Sequence, residues 1–197
     1  TIITLNTASA IDVRFDGRER RVRLVAGEVL IVTAHAAAGQ GDHGRPFIVE
    51  TGEGRISALG TRFTVRQHHE RTEVMVLDSA VEITPRASGA PQGVLRAGEA
   101  ASFTNAGIEA RRIPASQAGA WARGQIVADD MRLDDFIAEL GRYRTGWLAC
   151  APEVAALRVS GVFPLHDTAR ILATLPSVLP VTVTRRTRFW VTVEAMN

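Results

Sequence analysis

Lysine is missing from this sequence: all 23 of its basic residues are arginine. Cysteine occurs once, tyrosine once and tryptophan three times. A single cysteine excludes a disulfide framework within the chain, and with it any zinc site built on paired cysteines. No apolar run approaches the ~20 residues that carry a helix across a bilayer, and no basic, apolar leader with a small-residue cleavage site stands at the start. The expectation is a soluble piece. The absence of lysine also explains a misleading number. The isoelectric point near 9.4 suggests a nucleic-acid binder, yet the formal net charge is only +2. Cys150, Tyr143 and the amino terminus are nearly the only groups that titrate between neutrality and strong alkali, so a small positive excess persists to high pH. The arginines are scattered among Asp and Glu rather than gathered into the basic stripe that nucleic-acid binding requires.

What is present is a chain of 197 residues, 46% hydrophobic and 22% charged, enough to bury a proper core. Its two halves have different periods. From Thr1 to about Ile113 the pattern repeats every two residues. Ile11, Val13 and Phe15 alternate with Asp12 and Arg14; Phe63 and Val65 alternate with Arg62, Thr64 and Arg66; Val74, Val76, Val81 and Ile83 continue the theme. Such alternation marks half-buried strands. Asp16-Gly17, Ala26-Gly27, Thr51-Gly52-Glu53-Gly54, Leu59-Gly60, Ala97-Gly98 and Asn105-Ala106-Gly107 supply turns at close intervals. About ten short strands in a β-sandwich or twisted β-roll are expected over residues 1–113.

After Pro114-Ala115-Ser116 the period changes. Leu133, Phe136, Ile137, Leu140 and Tyr143 form the stripe of an amphipathic helix, with Asp129, Asp130, Asp134 and Asp135 at its start and Gly146 as its stop. Asp167 is placed to cap a second helix through Leu175, which Pro176 and Pro180 should end. Strand-like segments flank both helices: Gln125–Ala128, Trp147–Cys150, Arg158–Phe163, Val181–Thr184 and Arg188–Val193, the last two joined by a turn at Arg185-Arg186-Thr187. Residues 114–197 thus read as a small α/β domain of two β-α-β units, with right-handed crossovers placing both helices on one face of one sheet.

No catalytic constellation emerges. The acidic cluster lacks the glycine turn and terminal Glu of a calcium loop, and helix capping accounts for it. His35, His43, His68, His69 and His166 lack zincin spacing, and His68-His69 reads as the polar tip of a hairpin. Cys150 sits among apolar neighbours with no base near it in sequence. The expectation is therefore no enzyme, no cofactor, no metal and no small-molecule substrate. Trp121, Trp147 and Trp190 leave an alternative open, a carbohydrate-binding or hydrolytic protein of the cell envelope.

Several segments, in order, resemble the FecR family of cell-surface-signalling regulators. They are Leu5-Asn6-Thr7-Ala8-Ser9-Ala10, Gly27-Glu28-Val29, Arg45-Pro46-Phe47-Ile48-Val49 and Ala58-Leu59-Gly60-Thr61-Arg62-Phe63-Thr64-Val65. Val76-Leu77-Asp78-Ser79-Ala80-Val81-Glu82-Ile83 and Leu95-Arg96-Ala97-Gly98-Glu99 follow. Two departures stand out: a long loop from Ala36 to Gly44, and Asp78-Ser79 in place of the commoner Glu-Gly turn. Trp121 with Gly124 resembles the transition to the family's C-terminal part. Val159-Ser160-Gly161-Val162-Phe163 resembles the short N-terminal domain shared by secretins and TonB-dependent receptors.

The resemblance implies the periplasmic domain of a single-pass inner-membrane anti-sigma factor. Its partner would be the signalling domain of a TonB-dependent outer-membrane transducer, relaying siderophore and iron status. A cytoplasmic segment absent from this chain would bind an extracytoplasmic-function sigma factor. The second half is the expected docking half, through Val159, Phe163, Arg188, Phe189, Trp190 and Val191. Within Arg188–Val193, Phe189, Val191 and Val193 share the core face and Trp190 emerges opposite, on a terminal strand expected to have a free edge.

Overall fold

Alternation in the first half does fold as strands, and the computed structural model shows how they pair. It describes residues 1–16, 19–33, 46–58, 60–111, 117–187 and 189–196. The chain divides into two units, Thr1–Gly119 and Ala120–Asn197. Of the stretch around Pro114-Ala115-Ser116-Gln117-Ala118-Gly119, where the period is expected to change, the first three residues lie outside the described residues, as do His35, His43 and the whole Ala36 to Gly44 loop.

Twelve strands make up the described part of the first unit: β1 (Ile2–Leu5), β2 (Ala10–Phe15), β3 (Arg20–Ala26), β4 (Glu28–Val32), β5 (Phe47–Glu50), β6 (Gly54–Ala58), β7 (Arg62–His68), β8 (Arg71–Asp78), β9 (Ala80–Pro85), β10 (Gly93–Arg96), β11 (Ala100–Phe103) and β12 (Ile108–Arg111). They form two six-stranded sheets, ordered β1-β4-β7-β8-β11-β12 and β10-β9-β6-β5-β3-β2. All neighbours are antiparallel except β3 and β5, which run parallel because the chain visits the other sheet as β4 between them. Inward side chains of both sheets make one core, including Val22, Leu24, Ile31, Phe47, Ile56, Phe63, Val76, Ile83 and Phe103. Of the two architectures expected, this is the sandwich. Ser79, at the departure from the Glu-Gly turn, has φ +65, a backbone state that glycine adopts more cheaply.

A buried polar clasp joins the two sheets. Glu53 sits in the turn between β5 and β6, and its Oε2 accepts from Gln67 Nε2 of β7 at 2.7 Å and from the Thr72 hydroxyl of β8 at 2.7 Å. The Thr51 hydroxyl lies 2.9 Å from that of Thr72, and Arg86 Nη2 donates to the Thr51 carbonyl at 2.9 Å. Gly54 completes the turn because a Cβ there would run into the Thr84 carbonyl and Pro85 Cα.

The second unit contains β13 (Gln125–Arg132), α1 (Leu133–Gly141), β14 (Trp147–Cys150), β15 (Arg158–Pro164), α2 (Thr168–Val178), β16 (Val181–Thr187) and β17 (Trp190–Ala195). The element order matches the tandem β-α-β expectation, but the pairing does not. β13 pairs with β15 in a two-stranded sheet, while β14, β17 and β16 form a separate three-stranded one. Each helix packs against strands of both sheets, so the helices lie between two sheets rather than on one face of one. Leu133, Phe136, Ile137 and Leu140 of α1 meet Ile171, Leu172 and Leu175 of α2 in the core.

Several local expectations are corrected. Asp129 and Asp130 belong to β13, at a bulge where the Asp130 N–H donates to Ser160 Oγ and Arg158 donates to the Asp130 carbonyl at 2.8 Å. Helix α1 ends at Gly141, five residues before Gly146. Asp167 does cap α2, accepting from the Arg170 N–H at 2.9 Å, but the helix runs through Pro176 to Val178. Arg185, Arg186 and Thr187 belong to β16, with Thr187 paired to Trp190, and so do not form the expected turn.

At the end of the β7–β8 hairpin, His68 Nε2 lies 3.1 Å from Glu73 Oε2, and Arg111 of β12 and Arg71 also pair with Glu73. Burial alone would raise the Glu73 carboxyl, but the His68 hydrogen bond and the charges of His68, Arg111 and Arg71 lower it from 4.5 to about 2.

Two predictions follow from these polar groups. Glu53→Ala removes the acceptor that Gln67 and Thr72 share, and should cost about 1–3 kcal/mol of stability, read as a lower urea midpoint. Glu73 is depressed in the fold, so its stabilisation is complete above pH 4.5 and is lost as pH falls from 4.5 toward 2. Glu73→Gln should be less stable near neutrality and show a shallower fall through that window. Parallel acid limbs in the two proteins would refute the assignment.

Candidate partner-binding surface

The three-stranded sheet of the second unit turns one face inward and leaves the other open. On β17, Val191 and Val193 are in the core; on β14, Leu148 and Cys150 pack against it; on β16, Val181 and Val183 do the same. With a period of two, Trp147, Ala149, Trp190, Thr192, Thr182 and Thr184 face outward. Trp147 and Trp190 are register partners in the parallel β14–β17 pair, and so stand side by side. They are 63% and 49% exposed.

Local backbone chemistry fixes this pairing. Gly146 has φ +100, and a Cβ there would strike the Phe189 backbone. Only glycine lets the chain pass that close. Trp147 N–H then donates to the Phe189 carbonyl at 2.6 Å, which sets Trp147 beside Trp190. Gly146 thus serves the strand entry rather than the helix end.

An arginine stands over the aromatic pair. The Arg186 guanidinium lies over the Trp190 ring, 5.9 Å from its centroid. Burial, and then the neighbouring Arg185 charge, push the Arg144 guanidinium below its usual value. At the far end of the face, the Thr184 hydroxyl donates to Glu194. Phe189, just before β17, is also exposed.

The expected docking residues separate into two groups. Phe189 and Trp190 come together on this surface, joined by Trp147 and Arg186. Val159 and Val191 are buried in the core, and the half-buried Phe163 packs tilted against Phe136 with ring centroids 4.7 Å apart. All three belong to the packing of the unit, and burial leaves Val159 and Val191 no face to offer a partner. Phe189 departs from the expected core face, because it precedes β17 instead of lying within it. Arg188 lies outside the described residues. The terminal strand is also not an edge: β17 is central in its sheet, and β14 and β16 are the outer strands.

The groups weighed for chemistry take structural places. Asp134 is bound by Arg132 through two hydrogen bonds of 3.0 and 2.8 Å, which holds its carboxyl below the usual range. Cys150 is half-buried; burial, and then the Asp134 charge, push its thiol up, which disfavours a thiolate. Asp135 follows Asp134 in the first turn of α1, while Asp129 remains in β13. His69 is exposed beside Glu70, and His166 lies in a single 3-10 turn, Leu165–Asp167. Trp121, in a short 3-10 turn at Ala120–Arg123, is only half-exposed and belongs to neither outer strand.

Comparison with known proteins agrees with this fold. Two crystal structures of a proposed anti-sigma factor from Parabacteroides distasonis ATCC 8503 align over 99% of this chain and 90% of theirs, with TM-scores of 0.75 and 0.77 at 20% sequence identity. At that identity the likeness is one of fold. No curated protein matches the sequence. The family model described as FecR protein matches residues 1–82, from β1 into the start of β9. Over residues 1–82 the chain is therefore similar to the FecR family.

Proposed function

We infer that this chain is the periplasmic sensing part of an anti-sigma-type regulator, a binding module rather than an enzyme. The observation that carries this reading is the FecR match over residues 1–82, on a chain whose whole fold is similar to a proposed anti-sigma factor. In this reading the chain belongs to a single-pass inner-membrane protein, whose cytoplasmic segment acts on an extracytoplasmic-function sigma factor. Its partner is the signalling domain of a TonB-dependent outer-membrane transducer, reporting siderophore and iron status.

The second unit, read as a domain like the short N-terminal domain of secretins and TonB-dependent receptors, supplies the docking face. Trp190 is its anchor, with Trp147 and Phe189 beside it, because interface hot spots favour tryptophan and arginine. Arg186 over Trp190 suits an acidic partner face. A carbohydrate is the weaker fit. Sugars stack on open aromatic faces, and the Arg186 guanidinium lies over that of Trp190.

Titration calorimetry with purified signalling domains tests both levels. One domain should bind the full chain, and Trp190→Ala should weaken it at least ~30-fold, about 2 kcal/mol, without lowering the melting temperature. Val191→Ala should instead lower the melting temperature, since it opens a cavity in the core. Wild-type affinity in the Trp190 variant would remove the docking surface. Failure of the unaltered chain to retain any signalling domain from outer-membrane extracts would remove the functional reading.

A further inference from the structure

β2 is an outer strand of its sheet, bonded to β3 on one side. Ile11, Val13 and Phe15 point toward the sandwich interior. Ile11 packs against the core, and Phe15 meets the Phe47 ring edge-on with centroids 6.4 Å apart. Yet Val13 and Phe15 remain 52% and 54% exposed, so the sandwich is open along this side. Asp12 and Arg14 lie on the other face, exposed, grouped with Arg21, Arg23 and Glu50.

The backbone is open in the same phase. Asp16 N–H donates to the Glu19 carbonyl at 3.1 Å, and the β2–β3 register continues from that pair through Arg14–Arg21 to Asp12–Arg23. Hydrogen-bonded and non-bonded pairs alternate along an antiparallel ladder. Asp12 and Arg14 therefore turn their main-chain groups toward β3, while Ile11, Val13 and Phe15 turn theirs outward. Between Ile11 and Phe15 there is no proline, and the strand's bulge falls before Ile11. Nothing in this stretch blunts the edge against pairing.

The sequence of this edge is complementary to itself. If two copies of β2 pair antiparallel about a two-fold axis at Val13, Val13 faces Val13 and Ile11 faces Phe15. Asp12 of each copy then faces Arg14 of the other. The outward main-chain groups make about six hydrogen bonds, the open apolar rows join, and opposite charges stand directly across from one another. Neighbouring registers in the same phase are worse. A two-residue slip one way sets Asp12 against Asp12; the other way sets Arg14 against Arg14 and Asp12 against Asp16. We propose that β2 is a self-association edge, through which two copies of this chain join with two-fold symmetry into one continuous sheet. The proposal rests on the first unit alone and is independent of the docking face on the second.

Sedimentation velocity of the full chain, from low micromolar to about 0.5 millimolar, tests it. The unaltered chain should show a concentration-dependent monomer–dimer equilibrium. Val13→Pro removes an outward N–H that the fold does not use, and should leave a monomer. Arg14→Asp and Asp12→Arg each set like charges across the two-fold, and each should weaken the dimer at least ~10-fold. Mixed together, those two single variants should associate as a heterodimer, since one now carries two acidic residues and the other two basic ones. A chain that stays monomeric throughout overturns the proposal. So does a dimer indifferent to both charge variants, or a mixture no more associated than its components. The charge arms decide the matter even if Val13→Pro fails to fold.

Discussion

The first unit depends on a carboxylate held between its two sheets. Aliphatic faces attract one another without direction, and burial alone tolerates many ways of laying one sheet on another. Glu53 removes that freedom. Its Oε2 takes two hydrogen bonds, from Gln67 and Thr72 on neighbouring strands of the opposite sheet, while its own main chain turns tightly at Gly54. The Arg86 N–H closes on the Glu53 carbonyl at 2.7 Å, which ties the end of β9 to the same turn. A buried carboxylate is tolerable only when its acceptors are filled. Here the need to fill them is what aligns β6, β7, β8 and β9, and the core side chains follow.

Much of this architecture was legible because strands announce themselves by period. Phe63, Val65, Val74, Val76, Val81 and Ile83 were all marked as inward residues, and all are buried. The stripe from Leu133 to Leu140 was equally plain, because a helix is a local structure and its face can be read from spacing alone. Pairing is a different matter. That β3 runs parallel to β5, or that β13 and β14 enter different sheets, depends on residues far apart in the chain, and local alternation carries no label for its neighbour. Pro176 misled for a related reason: propensity is a weak prior, and a helix whose Ile171, Leu172 and Leu175 are buried can absorb one lost hydrogen bond.

The candidate surface was half legible. Period two within Trp190–Val193 separates the outward tryptophan from the buried valines, and the structure agrees. The same argument applied to Trp147–Cys150 would have found Trp147, since Leu148 and Cys150 are the core-facing pair. Its partnership with Trp190 was not legible, because it arises from a parallel pairing that Gly146 permits through its close approach to Phe189. Likewise, Thr51-Gly52-Glu53-Gly54 reads as an exposed turn, as acidic turn residues usually are. Only the fold brings Gln67 and Thr72 to it.

The strands available for pairing are also set by topology, not by place in the sequence. The last strand of the chain looks exposed when read in order, yet β17 is the centre of its sheet, flanked by β14 and β16. Its neighbours consume its main-chain groups, so whatever docks on Trp190 must do so through side chains on the open face. β2 has the opposite character. It comes early in the chain but ends its sheet, with main-chain groups directed outward and apolar side chains left half-covered. The docking proposed for the second unit would therefore use a face, where Trp147, Trp190 and Arg186 set the chemistry. The self-association proposed for the first unit would use an edge, where backbone hydrogen bonds supply the attachment and the order of Asp12 and Arg14 selects what can attach.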